Sequence, residues 1–220
     1  MKTKQGPSES DKDNRQEIQR LCSIGGHSEK SLVSTVLSSQ FICLFSLYAI
    51  CGFQDFFVAT HVTSLAIDNK MNTQLAGNML ALMGVAALVG VVSSGYLSDR
   101  YNPRLPTIFC FGLRILLFVL LGFTSNPWVI FILFLLYGCT FLVTAPLTVV
   151  FIRRIFGLSN FGTLVGTIHM IHHISGGLGA FVGGVVFDST GTYEPVIIAM
   201  VVLSVLGLIS VSLLRDNRLL

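Results

Sequence analysis

Residues Phe161 to Phe187 read FGTLVGTIHMIHHISGGLGAFVGGVVF, without one Lys, Arg, Asp or Glu. A bilayer-spanning helix takes about 20 mainly apolar residues, so this stretch alone is long enough to cross a membrane. Small residues recur in it at spacing four, in Gly162/Gly166, Ser175/Gly179/Gly183 and Gly176/Ala180/Gly184. That spacing puts them on one helix face, where a second helix can pack at backbone distance.

Working outward, five more apolar runs appear: about Leu32 to Ala59, Gln74 to Ser98, Leu105 to Thr124, Pro127 to Ile152 and Pro195 to Leu214. Six spans of about 20 residues use roughly 120 positions, leaving a tail and short connections. The 220-residue chain is 52% hydrophobic and 11% charged, with a mean hydropathy of +0.75. Soluble domains carry about 25% charged residues, so an ordinary soluble domain is excluded. The expected fold is an all-α integral membrane protein of six transmembrane helices spanning residues 32–215. A polar tail over residues 1–31 precedes it, and residues 216–220 form a short C-terminus. The tail mixes six basic and five acidic side chains with Ser, Gln and Gly and has no apolar core of a signal peptide, so it reads as disordered.

The formal charge of +3 is too small to suggest nucleic-acid binding, but its distribution is informative. Of the 14 Lys and Arg, 12 fall in the N-terminal tail, the second and fourth connections (Arg100 and Arg104, Arg153 and Arg154) and the C-terminus (Arg215 and Arg218). Lys70 stands by itself on the opposite side, and Arg114 lies within a span. Basic residues concentrate on the cytoplasmic side, which predicts both termini there and a multi-pass protein of the plasma or cell inner membrane. Trp128 and Tyr193, at the outer ends of the fourth and sixth spans, read as interfacial anchors.

Punctuation supports helices. Pro106, Pro127 and Pro195 stand in first turns, where a missing N–H costs nothing, and Asn126 and Ser159 are placed as N-caps. Pro146, inside the fourth span, removes a helix hydrogen bond and predicts a bend there. Five cysteines without a C-x-x-C, four of them in apolar runs, argue against a disulfide framework or a zinc site. No cofactor and no metal is expected.

The second connection reads Gly95-Tyr-Leu-Ser-Asp99-Arg100-Tyr-Asn102-Pro103-Arg104. It resembles the G-x-L-x-D-R-x-G-R-R signature of the major facilitator superfamily of secondary transporters, with Asn102 for Gly and Pro103 for Arg. Gly95 would permit close helix approach, Asp99 could sit at a neighbouring helix N-terminus, and Arg100 and Arg104 could pair with acids or carbonyls. Together they would form a conformational clasp. From Pro146, the stretch PLTVVFIRRIFGLSNFGTLVGTIHMIHHISGGLGAFVGGVVFDSTGTYEP is similar to helices ten to twelve of the monocarboxylate and oxalate/formate-type branch. CGFQDFFVATHV, from Cys51 to Val62, is similar to that branch's seventh helix, and Arg114 falls where the branch often has an arginine in its ninth. The resemblance implies the carboxyl-terminal six-helix half of a two-bundle carrier, with substrate near mid-membrane and a second wall from a homodimer partner or a separate amino-terminal half. Monocarboxylate transporters usually bear an arginine in the eighth helix. Here Gln74 to Ser98 has no basic residue, so the cargo is left open.

Intramembrane polar groups mark function or internal pairing. Arg114 lies near mid-span and either holds a carboxylate or braces the bundle. His172 and His173 lie at similar depth, with His169 one turn lower. Either they carry a coupled proton, since imidazole titrates in the useful range, or they hydrogen-bond between helices; their spacing alone makes a weak case for a metal. Gln54 and Asp55, near the outer end of the first run with Thr60 and His61 just beyond, are candidate cavity or outer-gate residues. The function read from the sequence is therefore secondary-active transport of a small, anionic organic solute by alternating access across the lipid bilayer. A truncated, non-transporting fragment is the alternative. An intramembrane serine protease would need G-x-S-G within a span, which this chain lacks, so an enzyme is not expected.

Overall fold

The computed structural model describes residues 32–158 and 160–214, and among these every regular element is a helix. A short α1 (Leu32–Val36) precedes α2 (Ser39–Asp68), α3 (Thr73–Arg100), α4 (Arg104–Gly122), α5 (Pro127–Gly138), α6 (Thr144–Phe156), α7 (Phe161–Thr190) and α8 (Glu194–Leu213). The expected tail, the Ser159 cap and the C-terminal Arg215 and Arg218 lie outside the described residues. Five helices, α2, α3, α4, α7 and α8, are long and apolar enough to cross a membrane.

Two boundaries differ from the sequence reading, and both have physical causes. The first run is interrupted at Leu37 and Ser38, where the Ser38 hydroxyl caps α2 by accepting from the Phe41 amide. α2 then continues nine residues past Ala59 until Lys70 takes φ +63°, with the Asn69 side chain donating to the Leu65 carbonyl. Thr60 and His61 are therefore inside the helix, and Asp55 lies midway along it.

The fourth run is not one bent helix but two short ones, α5 and α6, separated by turns at Cys139–Val143. In a continuous helix the Pro146 ring would collide with the carbonyl four residues back, that of Leu142. Leu142 instead adopts φ +61°, and Pro146 becomes the third residue of a new helix, where it is tolerated. The proline acts as anticipated, four residues upstream and more severely.

α2 is the central and most buried helix, packed chiefly against α7 and also against α8 and α3. Glycine makes the α2–α7 seam possible. At Gly52 a Cβ would run into the backbone carbonyl of His172, and at Gly179 into that of Phe53. Gly176 receives the Phe56 ring and Gly183 the rings of His61 and Phe57. Of the anticipated small-residue faces, Ser175/Gly179/Gly183 with Gly176 forms this seam, whereas Gly162 and Gly166 have nothing packed on them. A second seam, α3 on α5, rests on Gly90 against Cys139 and Gly138 against Met83.

The anchors also divide. Trp128 is 66% exposed, as an interfacial residue should be, but Tyr193 is only 7% exposed. Its ring stacks on Phe187 at 4.5 Å and its hydroxyl lies 3.2 Å from His61 Nδ1, so it belongs to the bundle interior and not to the lipid interface.

Candidate functional site

Three residues singled out separately in the sequence meet in the middle of the bundle. Arg114, from α4, is 0% exposed and Asp55, from α2, is 1% exposed; Arg114 Nη2 lies 2.6 Å from Asp55 Oδ1. Arg114 Nη1 donates to Gln54 Oε1 at 3.2 Å and to Cys51 Sγ at 3.5 Å. Nη2 also donates to the Thr140 carbonyl at 3.0 Å, and Nε to Thr140 Oγ1 at 3.1 Å. These five contacts equal the five N–H groups of a guanidinium. The rings of Tyr137 and Phe111 flank it, with centroids 4.9 and 5.7 Å from Cζ.

Asp55 is equally well held. Oδ1 accepts from Tyr137 Oη at 2.9 Å as well as from Arg114, and Oδ2 accepts from Cys51 Sγ at 3.3 Å. Beyond Oδ2, at 3.7 Å, is Nε2 of His172, whose side chain is 12% exposed. Charges taken out of water cost several kcal/mol each unless paired and hydrogen-bonded, which explains why every polar atom here has a partner.

Gln54 faces α8: its Nε2 donates to the Met200 carbonyl at 2.9 Å and to Ser204 Oγ at 2.7 Å. Gln54 and Asp55 are thus interior ties between helices, not residues at the outer end of a span, because α2 runs on to Asp68. The structure separates the histidines. His172 reaches Asp55; His173 is exposed, with its ring edge-on to Phe56 and to His172 at centroid distances of 5.6 and 5.5 Å. His169 is half-buried one turn away. His61 is an interior link, since Nε2 lies 2.8 Å from the Ala180 carbonyl. A carbonyl only accepts, so Nε2 carries the proton and Nδ1 receives the Tyr193 hydroxyl.

Cys51, Asp55 and His172 bring metal-ligand atoms within 4.8 Å of one another. The guanidinium of Arg114 already contacts two of the three, so a bound metal ion would sit against a fixed positive charge. The residues do not fit a metal.

At the α3–α4 end of the bundle, its rim, the signature residues do less than expected. Gly95 has nothing within 4 Å of the position a Cβ would take, so no helix among the described residues packs on it. Asp99 is exposed and makes no ion pair among the described residues. Arg100 donates to Tyr96 Oη at 3.1 Å on its own helix, and Arg104 Nη2 donates to the Ser212 carbonyl of α8 at 2.8 Å. Asn102, which replaces the signature glycine, caps the next helix by accepting from the Arg104 amide at 2.9 Å. Arg154 reaches from α6 to the Ser98 carbonyl at 3.3 Å.

Sequence reasoning missed Thr140, Tyr137 and Cys51. The polar Tyr137 and Thr140 around Gly138 and Cys139, followed by Pro146, were the available signal for a broken helix whose carbonyls need outside donors.

The sequence profile of the Major Facilitator Superfamily matches residues 41–219. The chain belongs to this superfamily. It is a multi-pass membrane protein of a transporter family. One similar protein is an uncharacterized MFS-type transporter, YcxA, of Bacillus subtilis (strain 168), 28% identical over 158 residues. That alignment takes in 69% of this chain but only 38% of YcxA, so the part of the chain that matches spans well under half of that relative's length.

Proposed function

We propose that the chain is one six-crossing bundle of a secondary transporter, with the α5–α6 pair making the fourth crossing and both ends cytoplasmic. It would move a small organic anion by alternating access, as in the monocarboxylate and oxalate/formate-type branch. The bundle supplies one wall; a second copy or a separate amino-terminal half supplies the other. The observation that carries this is the difference between its outer faces. α4 and α8 turn Leu105, Phe109, Leu116, Leu120, Ile198, Val202, Val205 and Ile209 outward, an apolar surface suited to lipid, with the exposed Glu194 and Ser212 confined to the two ends of α8. α3 and α7 instead expose Asn78 and Ser93, and Thr163 and His173, along their lengths among their apolar residues. Polar groups are expensive against hydrocarbon, so the second face calls for a protein or aqueous neighbour.

In this reading His172 takes up the coupled proton on the face lined by His173 and His169, with the buried carboxylate of Asp55 behind it. Arg100, Arg104 and Asp99 act at the rim on conformational exchange.

Assembly and topology test it. Purified in mild detergent, the chain should run as a dimer or co-purify with a six-helix amino-terminal half. Tags or introduced cysteines at Met1, Arg100, Arg153 and Leu220 should be reached from one side of the membrane and Lys70 from the other. A strictly monomeric chain that neither binds a partner half nor moves solute would favour the non-transporting fragment. Termini on opposite sides would remove the six-crossing arrangement.

A further inference from the structure

The break between α5 and α6 falls midway through the apolar run from Pro127 to Ile152, and within a bilayer backbone groups freed from a helix have no water to bond to and must be met by protein. Leu142 at its centre holds φ +61°, a conformation that a bulky side chain adopts only when its surroundings enforce it. Four side chains from other helices meet this segment, among them Cys110 of α4, whose Sγ lies 3.7 Å from the Thr140 carbonyl. Tyr48 Oη donates to the Thr144 carbonyl at 2.7 Å, and Cys51 Sγ contacts Thr144 Oγ1 at 3.2 Å, both from α2. Arg114, from α4, takes both oxygens of Thr140. That places its positive charge at the C-terminal end of α5, the negative end of the helix dipole.

We infer that Arg114 is a positioning residue which latches the interruption in the fourth run and is not a ligand of the cargo. Two facts exclude the cargo role in this conformation: its exposure is nil, and each of its N–H groups is matched by a protein acceptor. An incoming carboxylate would have to displace Asp55 or Thr140. The latch joins three elements, because one planar fork holds Asp55 of α2 and Thr140 of the break from a root on α4. Asp55 is in turn the member of the pair that neighbours α7, its Oδ2 3.7 Å from His172 Nε2, so its attachment to Arg114 links the break to His172. Proline fixes where the helix breaks; Arg114 fixes how firmly.

This goes beyond the transport reading and does not depend on it, because the readout is the break itself. The experiment is amide hydrogen exchange, with mass-resolved maleimide labelling of the native Cys139, on the full chain in lipid nanodiscs. Arg114→Lys keeps a charge for Asp55 but, as a point donor, cannot also span both Thr140 oxygens. The neutral double variant Asp55→Asn/Arg114→Gln guards against a buried unpaired charge. In both, exchange across residues 140–143 and labelling of Cys139 should rise at least tenfold while Ile130 to Leu135 of α5 and the middle of α2 stay protected. Unchanged exchange at the break in folded variants would overturn the latch, leaving the Asp55 charge pair as Arg114's whole role. An equal rise along α2, α4 and the break would overturn it too, by making Arg114 a general brace.

Discussion

The charged centre and the charged rim of this bundle are built in opposite ways. At the rim, ten consecutive residues from Gly95 to Arg104 carry a recognisable signature, yet in the folded chain Gly95 meets no helix and Asp99 is exposed without an ion pair among the described residues. At the centre nothing is contiguous: Asp55 and Arg114 are far apart in sequence and the Thr140 contact comes from a third segment, yet each atom is satisfied at 2.6 to 3.5 Å. In the proposed two-bundle transporter, the contiguous motif would serve the junction with the second bundle. A dispersed constellation reports what this bundle needs to fold around buried charge.

The sharpest way to break that contrast is to unpair the centre. Asp55→Ala or Arg114→Leu leaves one charge uncompensated in a dry interior and should cost about 3 to 5 kcal/mol. Thermal unfolding in detergent, or the yield of monodisperse protein, would show it. The neutral double variant should recover most of the loss. If either single variant melts like the wild type, the pair is not buried as described.

A smaller effect separates the two regions through their glycines. Gly179→Ala drives a methyl into the Phe53 backbone at the α2–α7 seam and should destabilise by about 1 to 3 kcal/mol, as overpacking does. Gly95→Ala adds the same methyl where no atom lies within 4 Å, and should stabilise by roughly 0.5 to 1 kcal/mol, the usual helix gain over glycine. Equal losses at both sites would mean that a neighbour covers Gly95 in the assembled protein. That result would sharpen the clasp proposal, not remove it.

How far the sequence could be read follows the same division. Helices, most of their starts and the α7 packing face were legible because hydropathy, proline position and glycine spacing are local signals. Asn126 caps α5 as expected, accepting from the Trp128 amide. The end of α2 was misplaced because Gln54, Asp55, Thr60 and His61 look like a polar margin, whereas each of Gln54, Asp55 and His61 is buried and bonded across helices. Tyr193 looked interfacial for a similar reason. The Arg114–Asp55 pair was illegible because pairing is a tertiary fact: the sequence put Arg114 near mid-span and Asp55 near the outer end of its run, and nothing local says that they face each other.

The weakest predicted effect on stability is at Asp99. Asp99→Asn should leave insertion and melting unchanged, since the side chain is exposed, while slowing turnover several-fold in whichever assembly is active. Normal turnover would detach the signature from conformational exchange.

The central claim is that proton uptake at the α7 histidines, next to a buried carboxylate, drives solute movement, and proteoliposomes holding the active assembly test it directly. A panel of labelled mono- and dicarboxylates is offered under an imposed pH gradient, and accumulation is compared with exchange at equal pH. Wild type should concentrate at least one of these anions. His172→Gln/His173→Gln should lose pH-driven accumulation but keep exchange, because exchange needs no net proton movement, and His172→Gln should account for most of the loss, since only His172 reaches Asp55. If the double variant still concentrates solute against its gradient, the histidines are packing residues and the coupling account is wrong.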